Sequence, residues 1–345
     1  MAWHKLLFLS LVVSIAATDT RLLFGSPQAS PQASPREMQQ KPFRRSLLVV
    51  VGAAGEEEFG KAFRESAERW RSAFPSDDVR LIDGTDVTKK EEKDHRQQIL
   101  DWISTPSPES KDEDVLPERW LVLIGHGTHD RVSSNFNLKG PDISAEAIAK
   151  AIAPVKAKWL IVDCASSSGP FINALSGPNR VVITATKSGA EQNFARFGEF
   201  LSQTITDPST DLDHDDCVSI LEAFLAASNR VAQFYENEGR LASEQALLDD
   251  NGDGRGTPAA FYRGARPVKA PANGLKLDGP FASRVLVSSF GKPDLRTNEQ
   301  RIQSDLIADK IETLRARKKD MPEDEYYQEL ERLFLEIAKF AQDPL

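Results

Sequence analysis

The sequence predicts an α/β fold, a three-layer sandwich with a mostly parallel central sheet and helices on both faces, followed by a C-terminal helical hairpin. Three observations lead there. Ser46–Val51, Trp120–Ile124, Trp159–Val162 and Arg180–Thr186 are short runs rich in apolar and β-branched residues. They are too short for ordinary helices, so they read as buried parallel strands. Stretches with helical periodicity lie between them, and strands alternating with helices make a sheet wrapped on both faces. A chain of 345 residues, 40% of them hydrophobic, is long enough to bury one large domain with appendages.

Residues 1–18 carry Lys5, an apolar stretch Leu6–Ala17 and small residues at Ala16, Ala17 and Thr18. That is the layout of a secretory signal peptide, and it places the protein in a secreted or periplasmic compartment. The apolar run is short for a bilayer span, which leaves an uncleaved membrane anchor as the lesser option. Residues 19–45 contain the tandem Ser-Pro-Gln-Ala unit of Ser26–Pro35, too polar and proline-rich to bury a core, and read as an extended tether.

The α/β domain is expected over residues 46–290. Its first strand runs into Gly52–Gly55 and then Glu56, Glu57 and Glu58 at a helix start. This is not a dinucleotide site, because the glycine spacing is wrong and three carboxylates would repel phosphate. A helix to about Phe74, a strand near Val79–Ile82, a helix to about Ile103 and the Trp120 strand follow. After His126-Gly127 the chain loops through Thr128-His129-Asp130 to Ser144, which caps a helix Ala145–Ile152. The Trp159 strand ends in Asp163-Cys164-Ala165-Ser166-Ser167-Ser168-Gly169. Beyond it come Phe171–Leu175, the strand Arg180–Thr186 and an exit Lys187–Arg196 along the same rim. In open α/β sheets ligands bind beyond the carboxyl ends of the strands, where His126 and Ser166 emerge side by side.

Two acidic loops have the spacing of calcium sites. Asp211, Asp213, Asp215, Ser219 and Glu222 stand at positions 1, 3, 5, 9 and 12 of a twelve-residue loop entering a helix, with Asp216 where glycine makes the sharp turn. The alternative is an acidic helix N-terminus favoured by the macrodipole. Asp249, Asn251 and Asp253 begin a second loop that has the required Gly254, but Ala260 stands in place of the bidentate Glu. Its plain alternative is a glycine-rich loop held by Asx turns. No cofactor is required, and Ca2+ is the one ion suggested.

Residues 291–345 form the hairpin. Tyr326, Leu330, Leu333, Ile337 and Phe340 recur at alternating steps of four and three, and Ile307, Ile311 and Leu314 supply a partner stripe. The hairpin either docks on the main domain or self-associates into an oligomer. A formal net charge of −9 with dispersed basic residues argues against nucleic acid as a partner. Two cysteines, Cys164 and Cys217, cannot make a disulfide scaffold, and a single bridge between them stays open.

The two strand ends resemble the caspase, legumain and gingipain group of cysteine peptidases, over roughly residues 46–260. In that group a His-Gly follows one strand, and a small residue, a catalytic Cys and a Ser-Gly-like turn follow the next. The resemblance implies a caspase-like fold, a legumain-like bacterial branch, a peptide or protein substrate, and an oxyanion hole from the N–H groups of Gly127 and Ser166. Matching Ser168-Gly169 to the family's Ser-Gly puts Ser166 where the nucleophilic Cys belongs and Cys164 two residues earlier. Serine is a poorer acid than cysteine and needs a base acting in the transition state. No acidic residue is assignable to orient His126, since Asp130 and Asp163 are near only in number. Three readings follow: a secreted hydrolase using His126 with Ser166 or, second, Cys164; a catalytically inactive homologue that binds ligands in the same cleft; and an assembly module working through the hairpin and acidic loops.

Overall fold

The computed structural model describes residues 45–74, 78–85, 94–106, 116–269, 277–290 and 298–342. The signal segment and all of the tether except Arg45 lie outside the described residues. In chain order the elements are β1 (Arg45–Val51), α1 (Glu57–Ala73), β2 (Asp78–Asp83), α2 (His95–Ser104), β3 (Glu118–Ile124), β4 (Gly127–His129), β5 (Ser134–Phe136), β6 (Ile143–Ser144) and α3 (Ala145–Ile152). Then come β7 (Lys158–Asp163), α4 (Phe171–Leu175), β8 (Arg180–Thr184), α5 (Phe197–Thr204), β9 (Cys217–Ser219), α6 (Ile220–Asn237), β10 (Leu247–Asp249) and β11 (Thr257–Pro258). The chain ends with β12 (Tyr262–Arg263), β13 (Arg266–Pro267), β14 (Leu286–Ser289), α7 (Asn298–Ala316) and α8 (Glu323–Gln342).

Seven strands form the main sheet in the order β11-β10-β8-β7-β3-β1-β2. The five from β2 to β8 are parallel, and β10 and β11 add antiparallel. Side chains alternate between two cores, as a period of two requires. Leu47, Val49, Val51, Trp120, Val122, Leu160 and Val162 pack with α1, α5 and α6, while Leu48, Val50, Leu121, Leu123, Trp159 and Ile161 pack with α2, α3 and α4. Both faces are therefore covered, which is why these strands are apolar without alternation and why the architecture is a three-layer α/β sandwich. Each fully buried Leu, Val or Ile contributes about 1.5–3 kcal/mol relative to exposure.

Register fixes the site. Leu123 of β3 lies opposite Asp163 of β7, so His126 and Ser166 each stand three residues past the same rung. Caps set the helix starts nearby. Asp94 accepts from Gln97 N, and Ser144 accepts from Ala147 N as the sequence suggests.

Two features depart from the sequence reading. The loop after His126-Gly127 is a three-stranded antiparallel sheet, β4-β5-β6, whose strands of two or three residues are too short to show a period. β10 occupies Leu247–Asp249, at the threshold of the second acidic loop. Its pairing partner β8 is distant in sequence, so nothing local announces it. The hairpin has its own small core of Ile307, Ile311, Leu314, Tyr326 and Leu333, with Leu330 and Ile337 against it. The Phe340 side chain lies outside the described residues. A cavity of about 200 Å3 between the hairpin and the 280–284 segment is lined by Pro280, Arg284, Ile311 and Phe334 among others. No helix among the described residues is long and apolar enough to cross a membrane.

Candidate functional site

His126 leaves the end of β3 beside the first turns of α1. Its Nε2 lies 3.2 Å from the carbonyl oxygen of Ala54. A carbonyl only accepts, so Nε2 is the donor in this contact. The ring is half-buried. Phe59 and Phe63 of α1 each meet it edge-on at 5.2 Å between centroids, and Phe194 meets it at 6.3 Å. Phe59 and Phe194 are stacked on each other at 4.8 Å. The orienting group that sequence inspection sought among acids is thus a backbone carbonyl, which no sequence signal marks. Nothing in the sequence singles out Phe59 and Phe63 as neighbours of His126.

Ser166 is 4% exposed. Its Oγ donates to the Gly127 carbonyl at 3.3 Å and lies 3.4 Å from the Gly127 N–H. Both contacts are long and therefore weak. The hydroxyl rests on the Gly127 backbone, and the His126 ring bonds the Ala54 carbonyl instead. Only glycine allows this approach, because a Cβ on Gly127 would stand 2.3 Å from the Ser166 carbonyl oxygen. The following turn is held firmly. Ser167 takes a φ of +57°, a conformation that costs a non-glycine residue about 1–3 kcal/mol, and its N–H donates to Glu191 O at 2.8 Å. Ser168 Oγ and the Gly169 N–H both bond Thr186, at 3.2 and 3.0 Å.

Cys164 is corrected as a nucleophile candidate. Alternation along the strand turns it into the core beneath α5, where a Cβ on Gly198 would meet its Cβ at 2.4 Å. Burial, then the neighbouring Asp163, pushes its thiol well above the ordinary range, and a buried protonated thiol is inert. No disulfide joins Cys164 to Cys217.

Asp130 and Asp163 do not touch His126. Asp130 accepts the N–H groups of Val132 and Ser133 at 3.1 and 2.8 Å, and these hold its exposed carboxyl below the usual value. Asp163 is buried on the opposite face from Cys164. One oxygen accepts the Ala165 N–H at 3.0 Å while the other has no partner, and burial pushes the carboxyl up to about 7. The folded chain therefore holds a proton that the unfolded chain releases near pH 4. The stability it contributes is full below about pH 4 and is lost as pH rises through about 7. Asp163→Asn, a neutral isostere, should flatten the fall of Tm between pH 5 and pH 8. Thermal melts with the wild-type slope in the variant would refute the assignment.

The rim residues are spent locally. Lys187 is exposed, with Nζ 3.9 Å from Glu191. Glu191 accepts the N–H groups of Lys187 and Gln245, both at 3.1 Å. Arg196 lies over the ring of Phe234 at 4.2 Å. An open cavity of about 820 Å3 runs along α6, lined by residues including Lys187, Arg230, Glu244 and Tyr262.

The first acidic loop brings together three of its five predicted ligands. Oxygens of Asp211, Asp213 and Asp215 lie within 4.8 Å of one another, the one such cluster of three among the described residues. Asp216 has a φ of +64°, so it adopts the turn that glycine usually supplies. Burial and neighbouring acids raise the carboxyls of Asp213 and Asp215, a repulsion that a cation would relieve. Glu222 and Ser219 are corrected as ligands. They form a capping box on α6, and the other Glu222 oxygen accepts the N–H groups of Leu212 and Asp213 at 2.8 and 3.3 Å. In the second loop, Asp249, Asn251 and Asp253 accept the N–H groups of Gly252, Asp253 and Arg255. These are the Asx turns of the plain alternative, and Asp249 and Asp253 join no cluster of the kind seen in the first loop.

No family model and no curated protein matches the chain. Among solved structures, the crystal structure of the Drosophila initiator caspase Dronc is similar at 13% identity, over 72% of this chain and 95% of that one, with a TM-score of 0.35. A likeness that loose carries no conclusion about chemistry.

Proposed function

We propose that this chain is a secreted relative of the caspase and legumain peptidases, and that it binds peptide or protein segments in the His126–Ser166 cleft without cleaving them. The observation that carries the reading is the seat of Ser166 Oγ on the backbone of Gly127. A hydroxyl without a base at hydrogen-bond distance is not activated, and here it also sits on the N–H that would otherwise stabilise an oxyanion. A fluorophosphonate probe is expected to leave the wild-type protein unlabelled. Labelling that disappears in both Ser166→Ala and His126→Ala would instead establish the hydrolase. That second reading has one observation in its favour, the seat of His126 Nε2 on the Ala54 carbonyl, which would leave Nδ1 to act as the base.

Two accessory readings complete the proposal. The Asp211, Asp213 and Asp215 carboxylates would hold a calcium ion, which would neutralise the loop without taking part in chemistry. Calcium titration by calorimetry should give a heat that Asp213→Asn reduces, and a flat titration would remove the ion. The α7–α8 hairpin exposes Leu306, Tyr327, Phe334 and Leu335, which suits contacts between copies. Sedimentation unchanged by deletion of residues 291–345 would rule that out.

A further inference from the structure

The segment from Lys187 to Arg196 touches the surroundings of both His126 and Ser166, yet no strand or helix covers it. At its start it packs on the turn after Ser166, where a Cβ on Gly169 would stand 2.3 Å from the Lys187 carbonyl carbon. The Glu191 carbonyl then accepts the Ser167 N–H at 2.8 Å. Near its end, Phe194 stacks on Phe59 and meets the His126 ring. With no ladder of its own, the segment keeps this path largely through bonds from other parts of the chain.

Three consecutive residues between α6 and β10 supply them. Gln245 donates its N–H to Glu191 Oε2 at 3.1 Å. Glu244 is 5% exposed and uses both oxygens on consecutive donors, Oε1 on the Arg196 N–H at 2.9 Å and Oε2 on the Phe197 N–H at 3.0 Å. These are orphan donors at the start of α5, and Arg196 brings no side-chain cap of its own. A carboxyl from a distant loop takes the role that a local Ser or Asp usually fills. Tyr235 of α6 aligns it, with its hydroxyl 3.1 Å from Glu244 Oε1 and 2.8 Å from Ser243 Oγ.

We infer that Glu244 is a positioning residue for the cleft: it acts on His126 through Arg196 and Phe194, while its neighbour Gln245 acts on the Ser166 turn through Glu191. The inference rests on the reading of His126 and Ser166 as one site. Two residues of chain span at most about 7 Å, so a shift of the Arg196 N–H reaches the Phe194 ring with little slack to absorb it.

Nuclear magnetic resonance on the full-length protein with isotope-labelled histidine tests this, the His126 ring signals being identified by their loss in His126→Gln. A phenyl ring displaces the resonances of protons beside it, so these signals report where Phe194 stands. Phe194→Leu gives the reference displacement. Glu244→Gln keeps the size of the side chain but turns an NH2 toward one of the two N–H groups, and should move the His126 signals in the same direction by a comparable amount. Tyr235→Phe removes only the aligning hydroxyl and should move them less. A lower Tm in Glu244→Gln with His126 signals at wild-type positions would make Glu244 a helix cap and nothing more, which overturns the inference; so would an unchanged Tm with unmoved signals. If Glu244→Gln does not fold, Tyr235→Phe decides in its place by the same two readouts. The fluorophosphonate probe judges the cleft separately, because it reports on Ser166 and not on the position of Phe194.

Discussion

Arg119→Ala is expected to lower the free energy of unfolding by about 3–5 kcal/mol, because buried carbonyls left without a donor and a large-to-small cavity both cost stability. Arg119 is 2% exposed. Its guanidinium donates to the carbonyls of Trp102 at 2.5 Å, Ile103 at 2.9 Å and Thr105 at 2.9 Å, closing the C-terminal end of α2. It is held between the rings of Trp102 and Trp159, at 4.2 and 4.8 Å. The truncation strips three carbonyls at a helix end of their donor and leaves a hole between two indoles, so hydrogen-bond and cavity losses add. Arg119→Lys keeps the charge but cannot reach three carbonyls from one ammonium centre, and should fall between the two. Urea denaturation checks both variants, and a loss under about 1 kcal/mol for alanine would show that solvent replaces the missing donors.

Ser166→Cys is expected to create a reactive thiol where the wild type has an inert hydroxyl. The sulfur atom is larger and more acidic, with an ordinary pKa near 8.5, and His126 offers Nδ1 as its base. Alkylation by iodoacetamide at pH 7 should run at least about tenfold faster at residue 166 than at an ordinary exposed cysteine. The measurement belongs in a Cys217→Ser background, since Cys217 is the half-exposed thiol and Cys164 is buried. His126→Ala should return the rate to that of an ordinary thiol. A rate indifferent to His126 would mean that the imidazole does not act on residue 166, which would end the reading of the two as a catalytic pair.

Much of the sheet was legible because its strands are buried on both faces. A run such as Trp120–Ile124 or Trp159–Val162 has no polar side to hide, so its composition alone marks it. The edge of the sheet was not legible. β10 and β11 hold three and two residues, and pairing with β8 rather than local preference makes them strands. The acidic loops show the same division. Spacing correctly located Asp211, Asp213 and Asp215 together. It could not tell that Glu222 serves the helix cap, because capping boxes and calcium loops use the same residue types at overlapping positions.

At the cleft, the sequence by itself determined which residues stand at the two strand ends, because strand length and parallel pairing carry His126 and Ser166 to the same rung. What they do to each other was left to the tertiary structure. Whether a hydroxyl meets an imidazole or a peptide group depends on differences of an ångström or so between atoms forty residues apart in the chain. That distance is set by helix packing, by the Ala54 carbonyl and by the bare Cα of Gly127, which lets the serine strand come close enough for its hydroxyl to settle on the backbone.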